Sequence, residues 1–151
     1  MQFGHLAVVL AISTYDWKPE TVAFVLGMHM LPNADVLLVK AKLAKPDFHC
    51  TVTHSIFFAL IVSGIISIFS PHYGLFSLVA ILSHYAADIG STVGLPLLWP
   101  FSKRKFTLAL FKDTGFWGEG MITGYYRQPM SWVLEGAVVI LLAYRLYMIY
   151  I

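Results

Sequence analysis

The sequence predicts an all-α protein: a polytopic membrane bundle of about five transmembrane or partly inserted helices, forming one domain over residues 1–151. Three observations lead there. First, 58% of the side chains are hydrophobic and 12% charged, and ten basic with eight acidic residues cannot cover a soluble core of this size. Second, the apolar residues fall into five segments separated by polar or proline-bearing stretches. Third, a backbone in hydrocarbon must satisfy its own hydrogen bonds, which makes each such segment a helix. The net charge of +2 is too small to imply a nucleic-acid partner. Cys50 is the sole cysteine, so no intramolecular disulfide forms. No Lys or Arg precedes Lys18, which argues against a cleaved signal peptide.

The first segment, "FGHLAVVLAIST" (3 to 14), rises only about 18 Å as a helix, against roughly 30 Å of hydrocarbon. It enters partway or continues through Trp17. The second, "ETVAFVLGMHMLPNADVLL" (20 to 38), contains Pro32, which removes a donor and predicts a kink or stop near His29 to Leu31. A break at membrane depth often marks a site. The third runs from His54 to Phe69, the fourth from Tyr73 to Trp99 and the fifth from Ser131 to Ile151. Each is near the length of a tilted span.

Lys40, Lys42 and Lys45 lie between the second and third helices, and Lys103, Arg104, Lys105, Lys112 and Arg127 between the fourth and fifth. The intervening "SPHYG" (70 to 74) has no basic residue. With five crossings both basic loops share one side, and the positive-inside rule makes it cytoplasmic, with the N-terminus. An integral, multi-pass protein follows, in which the scattered polar residues converge in depth: His5, Asp35, His49, His54, His84 and Asp88 all lie toward the inner face.

In "SHYAADIGSTVG" (83 to 94), His84, Asp88 and Thr92 recur every four residues, on one helical face. Ionisable groups inside a membrane are costly and face a partner or cavity. Imidazole with carboxylate suits zinc or another first-row divalent ion, with manganese and iron as alternatives, and a cation would neutralise the buried aspartates. The metal-ligand candidates are His5, His29, Asp35, His49, His54, His84 and Asp88. For His29, helix packing is the competing reading. His49 and His54 are five apart, a poor helical match, so His49 is expected on a loop folding over the site. His72 is read as a plain loop histidine of the opposite, neutral side.

Four motifs carry a resemblance: "GHL" (4 to 6), "LPNAD" (31 to 35), "HCTVTHS" (49 to 55) and "SHYAADIGSTVGLPLLWPFSKRKF" (83 to 106). In order and approximate spacing they resemble the membrane-bound metal-dependent hydrolases that include a LexA-regulated bacterial member. They look like that family's N-terminal histidine, its Leu-Pro-Asp-x-Asp element, its His-Arg-Gly-x-Thr-His-Ser signature and its Ser-His-x-x-x-Asp element with the following Gly-x-Pro-Leu-Leu-Trp-Pro. The resemblance implies hydrolysis without naming a substrate. Departures are Asn33 for the first aspartate, Val36 for a following histidine, and Cys50 and Thr51 for Arg-Gly. The missing guanidinium bears on recognition of an anionic group, with Lys40, Lys42, Lys103, Arg104 or Lys105 as replacements.

The histidine and aspartate set is also similar in arrangement to the zinc-dependent phospholipase C and nuclease fold. It suggests a metal-activated water near the cytoplasmic face, with Asp88 or Asp35 as the proton acceptor. Thr53, Ser55 and Thr92 are candidates to orient ligands. The expected partners are membrane lipid and an amphiphilic or phosphate-bearing substrate. The alternative is a membrane metal-binding or transport protein without hydrolase activity. The connection from Pro100 to Met130, rich in aromatics with Gly115, Gly118, Gly120 and Gly124, reads as an interfacial anchor or a gate beside the site. Glu135 faces the bundle or the inner interface, while Arg145 snorkels outward.

Overall fold

The structure is a computed structural model that describes residues 3–45, 48–114 and 119–151, the side chains of 119–121 excepted. It comprises seven α-helices among the described residues: α1 (Phe3–Ser13), α2 (Pro19–Met30), α3 (Asp35–Lys40), α4 (Ile56–Phe69), α5 (Pro71–Asp88), α6 (Glu119–Tyr126) and α7 (Pro129–Tyr150). No strand forms among them, only two isolated bridges in the segment after α5.

Local chemistry accounts for most boundaries. Pro19 opens α2 at a position where its missing donor costs nothing. Pro32 does not stop this helix but tightens it into a 3-10 turn, Leu31–Ala34, from which α3 resumes at Asp35. Ser55 and Ser70 cap α4 and α5, their hydroxyls accepting from the backbone N–H of Phe58 and Tyr73. Because Ser70 alone separates α4 from α5, the two form a tight antiparallel hairpin. Gly74 permits their contact, since a Cβ there would lie 1.9 Å from Ser67 Oγ.

The predicted fourth helix, reaching Trp99, is shorter than expected. It ends at Asp88, so Thr92 does not share the helical face of His84 and Asp88. The apolar run that follows bonds across the chain instead. Leu95 exchanges both backbone hydrogen bonds with Phe106, and Thr92 N–H donates to the Phe111 carbonyl. Gly90 lets Phe111 approach, as a Cβ there would lie 2.7 Å from that ring. Thr92 Oγ1 accepts from Asp113 N–H rather than from a ligand.

Helix α5 is central, packing against α4, α2 and α1, while α7 packs against α1. α1 and α7 run in the same direction: Phe3 N–H donates to Tyr126 Oη at one end, and Arg145 Nε donates to Thr14 Oγ1 at the other. Apolar side chains face outward, as with Leu60, Ile61, Ile65 and Ile68 of α4 and Val133, Val139 and Ile140 of α7, all exposed. His5, His29, Asp35, His54 and His84 are buried within. That inversion of the soluble pattern is what a hydrocarbon solvent selects.

Two continuous helical stretches among the described residues are long and apolar enough to cross a membrane, Pro19–Lys40 and Pro129–Tyr150. The 11 residues of α1 and 14 of α4 rise about 16 and 21 Å, short of the roughly 30 Å hydrocarbon core. Helix α6, unforeseen in the sequence, lies within the long connection; Gly115, Phe116, Trp117 and Gly118 lie outside the described residues. Glu135 is buried in the bundle. Arg145 does not reach outward but lies back on α1, its Cζ 3.9 Å from the Tyr15 ring centroid.

Candidate metal centre

The seven candidate side chains come from five places in the chain: His5 from α1, His29 from the last turn of α2, Asp35 from the start of α3, His49 and His54 from the segment before α4, and His84 with Asp88 from α5. They meet at the end of the bundle that holds the N-terminus of α1 and the C-terminus of α5. His84 is at the middle, its ring centroid 4.9 Å from that of His5, 5.1 Å from His29 and 5.5 Å from His54.

Two overlapping ligand groups result. His5, His29 and His84 form one, and His54, His84 and Asp88 the other; within each, the ligand atoms all lie within 4.8 Å of one another. Two ligands bound at about 2.0–2.1 Å to one tetrahedral ion lie roughly 3.3 Å apart. The nearest pairs bracket that value: His84 Nε2 to Asp88 Oδ2 is 3.1 Å, His5 Nε2 to Asp88 Oδ1 is 3.3 Å and His54 Nε2 to Asp88 Oδ2 is 3.9 Å. The His84–Asp88 contact lacks hydrogen-bond geometry, so neither ring nitrogen of this fully buried histidine has a hydrogen-bond partner. An orphaned buried imidazole is costly, and a cation would satisfy it.

Counting hydrogens gives the same result. Ser83 Oγ donates to the Ala80 carbonyl, so it accepts from His29 Nδ1, as does that carbonyl. His29 Nδ1 therefore carries hydrogen, and a neutral His29 presents a lone pair at Nε2. His5 Nδ1, 2.8 Å away, must then donate. This leaves the lone pair of His5 Nε2 facing the Asp88 carboxylate at 3.3 Å. Two neutral imidazoles hold too few hydrogens for these contacts, so the chain closes only with one further cation, either a proton or a metal ion.

On the other side, Thr53 Oγ1 donates to Asp35 Oδ2 at 2.7 Å, and so accepts from His54 Nδ1 at 3.1 Å. That fixes the tautomer that aims the His54 Nε2 lone pair at Asp88, the arrangement expected of a ligand oriented from behind. Each Asp35 oxygen accepts one hydrogen bond, Oδ2 from Thr53 and Oδ1 from His49 Nδ1 at 2.7 Å, and neither Asp35 nor His49 falls within the two ligand groups. Both stand behind His54. Asp88 is the accessible member, its side chain 23% exposed while those of His54 and His84 are 0%.

Other residues of the site had no local signal. Tyr85 Oη donates to the carbonyls of Thr53 and Ser55, fastening the 48–55 segment to α5. Its only sequence cue was that a buried tyrosine needs a hydroxyl partner. Cys50, in the left-handed region at φ 56, brings its Sγ to 4.0 Å from His54 Nε2. Ser55 caps α4 and donates to the Val52 carbonyl. His72 lies at the far end of the bundle, where its Nε2 is 3.3 Å from Asp16 Oδ2. Lys40, Lys42, Lys103, Arg104 and Lys105 are all exposed.

Fold and site together define a helical membrane protein with an apolar exterior and a buried histidine and aspartate cluster able to bind a metal ion. The chain belongs to the YdjM inner membrane protein family, whose sequence model matches residues 1–151. No curated protein and no solved structure matches it.

Proposed function

We propose that the protein is a multi-pass inner-membrane hydrolase, dependent on a divalent metal, that cleaves a phosphoester or other amphiphilic lipid substrate. The observation that carries this is the convergence of two three-ligand groups on His84, whose ring nitrogens have no hydrogen-bond partner. His5, His54, His84 and Asp88 would hold the cation, with His29 standing behind His5 as the acceptor of its Nδ1–H, and the preponderance of imidazole over carboxylate favours zinc over magnesium or calcium. When bound, such a cation supplies Lewis acidity and a more acidic water.

The chain's own residues have separable tasks. Asp88, the more accessible carboxylate, would accept a proton at whichever of its oxygens does not bind the cation. Asp35, through Thr53, holds His54 in the tautomer that frees Nε2. His49 neutralises part of the Asp35 charge by hydrogen bonding. The exposed Lys103, Arg104 and Lys105 follow the same segment that pairs Leu95 with Phe106, and they favour an anionic substrate. The parallel course of α1 and α7 is compatible with the N-terminus, the basic loops and this centre sharing one side, which the positive-inside rule would make cytoplasmic.

The test is metal content by mass spectrometry after purification in mild detergent, beside Asp88→Asn and His84→Ala variants whose helicity is unchanged. Near-stoichiometric zinc, manganese or iron lost in both variants, with metal-dependent release of phosphate or lipid product, supports the proposal. Metal without any hydrolysis leaves a metal-binding or transport protein. No metal after reconstitution overturns the centre.

A further inference from the structure

A second feature lies on the other side of α5 from the metal centre. Helices α1, α5 and α7, with the segment around Leu108 and Leu110, enclose a cavity of about 480 Å³. Its walls are almost wholly apolar, including Val8, Ala11, Val79, Ala86, Ala137 and Leu141. From Val79 to Ala87 along α5 it extends about 12 Å, and Gly90 continues the wall beyond the helix. It is partly open, and the outer face of α7, which forms one of its walls, is exposed and apolar.

Three side chains with polar groups line this cavity, Tyr15, Ser83 and Arg145. Ser83 has its hydroxyl committed, donating to the Ala80 carbonyl and accepting from His29. Arg145, at the end away from the metal centre, has capacity left. Its Nε donates to Thr14 Oγ1 at 3.1 Å, and Thr14 gives its own hydrogen to the Ala11 carbonyl. The guanidinium rests on Tyr15, and among the described residues no carboxylate forms an ion pair with it. The four N–H groups on its terminal nitrogens are the natural partners of a phosphate. A guanidinium five residues before the end of an apolar helix is within side-chain reach of a headgroup layer.

We infer that this cavity seats one acyl chain of an anionic phospholipid whose phosphate is held by Arg145. The shape selects a chain, since the volume is within the range of small-molecule sites while the lining is apolar apart from the committed Ser83 hydroxyl and the end formed by Tyr15 and Arg145. The charge selects the headgroup. The phosphate seat is separate from the metal centre, because Arg145 and Thr14 lie at the far end of α1 from His5.

The experiment is native mass spectrometry of the full chain in detergent, given equal amounts of phosphatidylglycerol and phosphate-free diacylglycerol with the same acyl chains. The wild type should retain one phosphatidylglycerol with a preference of about tenfold or more, the scale of one charge-assisted contact. Arg145→Gln should abolish the preference, and Arg145→Lys should keep part of it. Ala137→Phe, which fills the cavity, should lower retention of both lipids. Equal retention of the two lipids by the wild type, or an unchanged preference in Arg145→Gln, overturns the phosphate assignment. Unchanged retention in Ala137→Phe with native helicity overturns the seat. Metal content measured on the same samples reports on the other site alone, so either proposal can fail without the other.

Discussion

His5 Nδ1 lies 2.8 Å from His29 Nε2, joining α1 to the last turn of α2 just ahead of the proline-induced 3-10 turn. The backbone carbonyl of Ala80 on α5 fixes the hydrogen on the other side of His29, so three helices share one chain of contacts. Replacing His29 with Phe keeps much of the volume but leaves His5 Nδ1–H without an acceptor. Thermal unfolding in detergent should show a loss of about 1–3 kcal/mol. Unchanged stability would mean that His5 does not depend on this contact.

Thr53 acts on His54 rather than on the cation. Thr53→Val keeps the shape and removes the hydroxyl that links Asp35 to His54. Loss of such a supporting bond typically lowers metal affinity about 10- to 100-fold. Chelator competition should show this, with Thr53→Ser restoring wild-type affinity. Equal affinity in Thr53→Val would remove Asp35 from any part in orienting the ligand.

Gly74 and Ser67 set the closeness of α4 and α5, and with it the position of His84 against His54. Gly74→Ala would place a methyl group against Ser67 backbone and side chain alike, at 2.8 Å from its Cα. A cost of about 1–3 kcal/mol is expected from overpacking. Denaturation midpoints of the two forms, compared in one detergent, measure it.

At the far end of the bundle, Asp16 accepts from Lys18 Nζ at 2.9 Å and from Thr21 Oγ1 at 2.8 Å, with His72 Nε2 also at 3.3 Å. Bonding to Lys18, then to Thr21, holds its carboxyl down at about 2. A depressed carboxylate stabilises the folded state above its ordinary value of 3.8, and that contribution fades as the pH falls toward 2. Carboxyl carbon NMR should place the Asp16 midpoint near 2, and Lys18→Ala should move it upward. A midpoint near 4 in the wild type would show that these bonds do not persist in solution.

Much of the helical layout was legible because its causes are local. Apolar runs in a charge-poor chain become helices, and Pro32 marks the break in the second of them, although Ser55, read as a ligand-orienting hydroxyl, instead caps α4. The end of α5 was not legible. The stretch after Asp88 is apolar enough to prolong a helix, but Leu95 pairs with Phe106, and no local pattern announces a partner eleven residues on. Thr92 was misplaced for that reason.

The site divides in the same way. The sequence by itself determined which side chains were available: histidines and aspartates too costly to bury alone, set in segments too apolar to dissolve them. Only the tertiary structure decided who meets whom. His29 stands near Asp35 in sequence yet bonds to His5, while Asp35 turns to His49 and Thr53. Arg145, expected to reach outward, lies on Thr14 and Tyr15. Composition and periodicity follow from each residue's own solvation and from its neighbours along the chain. Contacts between helices depend on how those helices pack, which involves all of them at once.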